Sequence, residues 1–325
     1  MRRLGCVLIL GLVAILANPV ICDAASKKVT FITDAGPLGR HSLFYVALDK
    51  GYYKQEGLDV EILGGRGSAS TAREVAASAA QFGLADSGTV ILARANEKLP
   101  IKLVGIVYAK APHGLMALSS SGIKKPADLR GKRLADSSAS SNYILFKAYA
   151  KKVGLDPNAV EWVFTDFNSL PGLLTTKQID AIGQFEMGRV VLEKRARQPI
   201  TFLSYADAGM QFYSNAIIAS DKTIQEDPAL VKAFLRATRK GMADAFANPK
   251  EAASIQRKYM PLLDLDVIES ETKSVAALAN PPDRAEVPLL TLERKGVEKT
   301  IQLMTENFDL KDGPKADDVA AFLDF

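Results

Sequence analysis

The sequence predicts an α/β fold in two lobes, each a mostly parallel sheet flanked by helices. Three observations carry this. Short apolar runs alternate with longer segments of helical periodicity, the pattern of βαβ units. The alternation pauses near Pro112 and starts again with a second set. The chain has 325 residues, enough to build two hydrophobic cores.

The elements follow in order. Arg2 and Arg3 precede an uncharged apolar stretch from Leu4 to Ala17, which Asn18 and Pro19 interrupt. Cys22, Asp23 and Ala24 then place small residues where an export signal is cut, so residues 1–24 read as a cleavable secretory signal. The apolar run is shorter than the roughly 20 residues of a transmembrane helix. Cleavage after Ala24 removes Cys6 and Cys22, the only cysteines, and leaves no thiol for a disulfide, a nucleophile or a metal.

Val29–Thr33 reads as the first strand, and His41–Lys54 as a helix that stops near Gly57. Asp59–Leu63 is the second strand. Gly64, Gly65 and Gly67 make a turn, and Ser68 or Ser70 is placed to cap a helix that runs to Ala80. Gln81–Ala85 is a strand, a helix follows to Glu97, and Ile101–Tyr108 is an apolar strand buried on both faces.

The second set opens with a strand at Gly114–Ser119, then a turn at Lys125–Leu129 and a strand at Lys132–Leu134. Ser140–Val153 is a helix whose Ile144, Leu145, Ala148 and Tyr149 form one apolar stripe. Strands at Glu161–Phe164, Ile179–Gly183 and Thr201–Leu203 follow, with a short helix at Leu170–Lys177. Trp162 is expected in the core. Asn215–Ser220 is a strand, and almost all that follows is helical. Asp227 and Pro228 open the first of those helices as cap and first-turn proline. The others are expected at Pro249–Lys258, Asp266–Ala277, Thr291–Asn307 and Lys315–Phe322. No repeat or low-complexity linker separates the sets. Short crossovers are therefore expected near Tyr108–His113 and Tyr213–Ala216. They make one lobe of residues 25–110 plus 217–325 and another of residues 111–216.

Composition narrows the function. Hydrophobic residues are 48% and charged residues 24%, as in an ordinary folded protein. The formal charge is +4, and the basic residues are scattered apart from Lys194, Arg195 and Arg197, which argues against nucleic acid as a partner. The two histidines, His41 and His113, lack metal-ligand spacing, and no nucleophile elbow is present. Neither a metal nor a cofactor is expected.

Read as loops at strand ends, three segments are candidate binding elements. Gly64–Ser70 offers backbone N–H groups and the side chains of Arg66, Ser68 and Ser70 as an anion cradle, without the lysine of a Walker loop. Ser137–Asn142 holds five polar side chains (Ser137, Ser138, Ser140, Ser141, Asn142), more than one helix cap needs. The third segment runs from Asp34 to His41.

The run Phe44–Ile62, FYVALDKGYYKQEGLDVEI, resembles the first helix and second strand of periplasmic solute-binding proteins for nitrate, sulfonates, taurine and thiamine-type pyrimidines. AQFGLADSGTVILARANEKLPIKLVGIVY and KKPADLRGKRLAD resemble later segments of the same class, in the same order. The resemblance implies a two-lobed, hinged periplasmic binding protein fold of type II, with the ligand in the interlobe cleft at the carboxyl ends of the strands. It implies a monomer without catalysis that passes a small-molecule solute to ABC permease subunits in the inner membrane. The thiamine-pyrimidine subgroup is the nearest match. It implies ligand contact by His41, by Phe185 and Glu186 in DAIGQFEMG, and by Tyr213 in GMQFYSNAII. Asp34 stands near the subgroup's tryptophan position, and the usual asparagine before the first helix is absent. Asp86 and Ser87 occupy a strand end that reaches the cleft in the class. Tyr108, Phe185, Phe212 and Tyr213 are candidates to sandwich a ring, and Glu186 to accept hydrogen bonds from an amino group. The expected ligand is a thiamine-pyrimidine precursor. Sulfonate, nitrate and a small aromatic acid are the alternatives within the class. A histidine-dependent pyrimidine synthase and a receptor's sensing subunit are the alternatives outside it.

Overall fold

The computed structural model describes residues 26–36, 38–310 and 313–325. The expected signal at 1–24, its cleavage point and both cysteines lie outside the described residues.

Ten strands form two five-stranded sheets. The first sheet takes β1 (Lys27–Ile32), β2 (Leu58–Leu63), β3 (Phe82–Asp86), β4 (Ile101–Ile106) and β10 (Asn215–Ser220), in the order β2-β1-β3-β10-β4. The second takes β5 (His113–Leu118), β6 (Arg133–Asp136), β7 (Glu161–Phe164), β8 (Ala181–Phe185) and β9 (Ile200–Ser204), in the order β7-β6-β8-β5-β9. The chain passes between sheets twice, through residues 107–112 and 205–214.

Both sheets are mixed. β1 pairs parallel with β2 and β3, but β10 runs antiparallel to both β3 and β4. β6 pairs parallel with β7 and β8, while β5 runs antiparallel to β8 and β9. Each reversed strand is the first one laid down after a crossover. A strand entered directly from the other sheet has no crossover helix to carry it back to the same end, so it runs the opposite way.

The first core centres on stacked aromatics. Phe82 lies 4.2 Å from Phe234 at an interplanar angle of 11°, and Phe31 lies 4.6 Å from Phe44. All four are fully buried. In the second core Tyr149 stacks on Tyr205 at 4.3 Å, beside Leu134 and Leu145. Each such side chain contributes about 1.5–3 kcal/mol by leaving water. Trp162 is only half-buried, edge-on to Tyr143 and Phe146 at 5.0 and 5.2 Å.

Helix starts follow local chemistry. Asp227 accepts from the Leu230 N–H at 2.9 Å ahead of the Pro228–Ala247 helix, as its sequence predicts. Two expectations fail. The single helix over 41–54 is two, Ser42–Asp49 and Tyr52–Gln55, because Gly51 turns left-handed at φ 72°. Neither Ser68 nor Ser70 caps its helix, whose cap position is Gly67. The Ser68 hydroxyl instead accepts from the Asp86 N–H at 3.0 Å.

Helices after β10 pack mostly on the first sheet's side: Pro228–Ala247 against Ser42–Asp49, and Arg294–Phe308 against Ser87–Leu92. The Leu265–Ala279 helix also reaches across to the turn at Glu186–Gly188 and the Arg189–Ala196 helix beyond β8. That reach positions the site.

Candidate functional site

The loops after β1 and β2 and the end of β3 face the loop after β6 and the end of β8 across the gap between sheets. On one side the gap is shut by direct bonds. The Ala69 N–H donates to the Ala139 carbonyl at 3.2 Å, and the Ser137 hydroxyl donates to the Arg66 carbonyl at 3.0 Å. Gly67, at φ 128°, stands where a Cβ would lie 2.5 Å from the Ala139 oxygen, so only glycine permits this approach. Deeper in, His113 Nε2 lies 3.3 Å from Asp86 Oδ2 and 3.0 Å from Ser141 Oγ. The space left at the strand ends, bordered by Asp34, Ser68, Ser140, Asn142, Arg40 and Phe185, is only about 10 Å³.

Asp34 is the hub of this wall. Its Oδ2 accepts from Arg40 Nη2 at 2.8 Å and from Asn215 Nδ2 at 2.9 Å, and its Oδ1 from His41 Nε2 at 2.8 Å. Burial opposes ionisation of Asp34. The Arg40 charge and the His41 and Arg40 hydrogen bonds outweigh it and hold the carboxyl well below the usual range. Burial pushes His41 down despite Asp34, which leaves a neutral ring whose Nε2–H donates. Glu271 closes the network from the Leu265–Ala279 helix. Its Oε2 accepts from the Arg40 N–H at 2.8 Å, and burial raises its carboxyl to about 7 against the pull of Arg40. Arg40 lies over the Phe185 ring at 5.0 Å, and its Nε has no hydrogen-bond partner. Tyr108, fully buried, is pushed up by burial, and its hydroxyl has no partner either.

The serine-rich loop is largely committed to the fold. Ser140 accepts from the Asn142 N–H at 3.2 Å as the helix cap, and Asn142 Oδ1 accepts from the Gly114 N–H at 3.1 Å. Beneath it, Asp136 is fully buried and its carboxyl is raised to about 8 by burial, against hydrogen bonds from Ser140 and the Ser137 N–H. Asp136 Oδ2 is unsatisfied.

Two larger cavities flank the shut centre. One, of about 530 Å³, holds Arg66, Ser70, Ser137 and Ser138 with Phe164 and Phe167. Arg66 is exposed and leans toward Glu74 on its own helix, 3.6 Å away. The other, of about 640 Å³, opens between the Leu265–Ala279 helix and the segment from Phe167 to Arg195. Arg40 and Glu271 are in its wall, with Gln184, Phe167, Leu192 and Val267. Lys194 crosses its mouth from the second sheet's side to Asp264 at 2.8 Å and Asp266 at 3.2 Å.

The expected residues therefore divide. Asp34, Ser68, Ser140, Ser141, Asn142 and Phe185 converge at the centre. His41 and Tyr108 are buried just behind it, and Asp86 and Ser87 are tied to Thr89 and the Ser214 carbonyl. Glu186 is exposed and lines none of the described cavities. Tyr213 lies in the second crossover, bonded through its hydroxyl to Glu293 at 3.1 Å, and lines a separate cavity of about 540 Å³ with Arg284. Sequence reasoning passed over Arg40, Glu271, Asn215 and Gln184. Glu271 had a legible signal: it sits on the apolar stripe Val267–Glu271–Val275, where a carboxylate is buried or functional.

With this geometry in view, residues 39–252 match the family model described as NMT1/THI5 like. The chain belongs to the NMT1/THI5-like family. Among curated relatives, the formylaminopyrimidine-binding protein of Halalkalibacterium halodurans is 26% identical, covering 76% of this chain and 75% of the relative. The riboflavin-binding protein RibY of Chloroflexus aurantiacus is 29% identical over 72% and 67%. The 4-amino-5-hydroxymethyl-2-methylpyrimidine phosphate synthase of Legionella pneumophila is 28% identical over 74% and 76%. This NMT1/THI5-like chain superposes on the alkanesulfonate-binding protein SsuA of Xanthomonas axonopodis pv. citri, bound to MOPS, with a TM-score of 0.71. The match covers 91% of this chain and 99% of that one at 15% identity. The fold is that of the periplasmic binding proteins.

Proposed function

We propose that this chain is the solute-binding component of an ABC importer, exported to the periplasm. In this reading it captures a small polar or heteroaromatic molecule between the lobe of residues 25–110 with 217–325 and the lobe of residues 111–216. The observation that carries the reading is the 640 Å³ chamber whose walls come from both sheets' helices, with the Lys194–Asp264 bridge in its lining. A solute in it is held by groups from both lobes, which shifts the equilibrium toward closure. The closed form then docks on permease subunits as a monomer.

The synthase relatives make catalysis the rival reading. His41, the histidine a synthase-like reaction would consume, is 1% exposed, bonded to Asp34 and absent from every described cavity wall. That arrangement favours a positioning role for His41 over a reacting one. Among the described residues no cluster of potential metal ligands occurs.

The test is a thermal-shift screen of the purified mature chain with 4-amino-5-hydroxymethyl-2-methylpyrimidine, its formylamino precursor, riboflavin, alkanesulfonates, nitrate and aromatic acids. A ligand at 100 times its Kd stabilises by about 2.7 kcal/mol, so binding is plain to see. A shift with one class, with His41 unmodified in the mass spectrum afterwards, is expected. No shift with any of them, or turnover with loss of His41 mass, would sink the reading.

A further inference from the structure

Resting on solute capture between the lobes, we infer that the solute is an extended aromatic acid, its acid group on Arg40 and its ring system in the lateral chamber against Phe167, Leu192 and Val267.

Space is the first ground. The strand-end centre, which the serine-rich loops make the obvious anion site, offers about 10 Å³ and is crossed by bonds between the lobes. A nitrate or taurine has no room there while those bonds stand. The lateral chamber offers about 640 Å³, within the range of pockets that enclose drug-sized molecules. A single pyrimidine ring or a short sulfonate would leave most of it unfilled, and unfilled apolar wall forfeits its contacts.

The wall chemistry is the second ground. Phe167, Pro171, Val191, Leu192, Leu263 and Val267 supply flat and aliphatic surface for a ring system. At the inner end Arg40 is 5% exposed and lines the chamber, with its Nη2 held by Asp34 at 2.8 Å. The edge of the guanidinium that faces the chamber can donate to an acid oxygen. Gln184 stands beside it in the same wall.

Charge is the third ground. The chamber's ionisable lining is Arg40, Lys194 and Arg195 against Asp264 and Glu271. Arg40 is paired with Asp34 and Lys194 with Asp264 and Asp266, and burial raises the Glu271 carboxyl to about 7, so Arg195 is the lining cation without an ion-pair partner among the described residues. A cationic amine would meet Arg40 instead of the exposed Glu186.

The experiment is titration calorimetry with three probes: 2-naphthoate, its neutral analogue 2-naphthalenemethanol, and taurine. The expected order is naphthoate at least tenfold tighter than the alcohol, with taurine not binding. Leu192→Trp and Val267→Trp, which fill the chamber from opposite lobes, should each weaken naphthoate at least tenfold while circular dichroism and thermal midpoint show an intact fold. Naphthoate binding unchanged in both variants overturns the location. The alcohol matching naphthoate overturns the Arg40 contact. Taurine or the monocyclic aminopyrimidine binding more tightly than naphthoate overturns the ligand class but leaves solute capture standing. Capture itself falls only if the wider screen above is silent as well.

Discussion

Asp34 receives three hydrogen bonds from three different places in the chain: Arg40, His41 and Asn215. Asp34→Asn would leave the Arg40 charge buried without its partner, a change that costs about 3–5 kcal/mol in comparable buried pairs. Urea denaturation at neutral pH is expected to show a loss of that order. A loss under ~1 kcal/mol would mean the network is incidental. The sign of the pH dependence is fixed by the depressed carboxyl. Its stabilisation is present above the ordinary aspartate value of about 3.9 and disappears as pH falls toward the folded value. Asp136 has the opposite sign. Its folded pKa is raised to about 8, so the native state keeps a proton that the unfolded chain has lost. Stability from this group is therefore full below about pH 4 and drains away as pH rises to about 8. Asp136→Asn keeps the neutral shape, and its stability profile should be flatter over that window and higher than wild type at pH 8. A profile parallel to wild type would contradict the raised value. Glu271 adds to the same slope up to about pH 7.

At the scale of elements, the loop after β2 and the loop after β6 meet through Gly67 and Ala139. Gly67→Ala puts a methyl against the Ala139 carbonyl and strains a backbone at φ 128°. The methyl obstructs only the closed arrangement, so ligand affinity should drop at least tenfold. Equal affinity in calorimetry would show that closure does not pass through this contact. The order of strands and helices was legible because period-2 apolar runs alternate with period-3.6 ones. The direction of β5 and β10 was not. Asn215–Ser220 is buried along its whole length, and a strand buried on both faces carries no mark of which way it runs. The candidate site was legible by region and less so by residue. The sequence marks Ser137–Asn142 as polar, but whether a serine serves a ligand or a neighbouring N–H depends on what the other lobe brings to it. Here Ser137 meets the Arg66 carbonyl and Ser141 meets His113. Glu186 follows β8 as expected, yet the short turn at Glu186–Gly188 carries it outward while Phe185 and Gln184 point to the cleft.

Across the whole molecule, the Leu265–Ala279 helix and the Lys194 bridge to Asp264 and Asp266 join the two sides of the chamber. The bridge is about half exposed, so it contributes little to stability, on the order of 0–1 kcal/mol. Its effect belongs to rates. Lys194→Ala should speed ligand release a few-fold, and wild-type release should quicken with salt while the variant's does not. Stopped-flow dissociation at two ionic strengths measures both. One consequence of the topology concerns the order in which the chain is made. β10 lies between β3 and β4, yet more than a hundred residues and an entire second sheet separate it from them in sequence. A growing chain therefore holds four strands of its first sheet with the place between β3 and β4 vacant until Ser220 has been synthesised. Such late, distant pairing slows assembly and keeps the nascent chain from locking early. A fragment ending at Ser214 should stay unfolded in its first hundred residues, and hydrogen exchange on it would reveal whether this protein is built to remain threadable until two-thirds of it has been made.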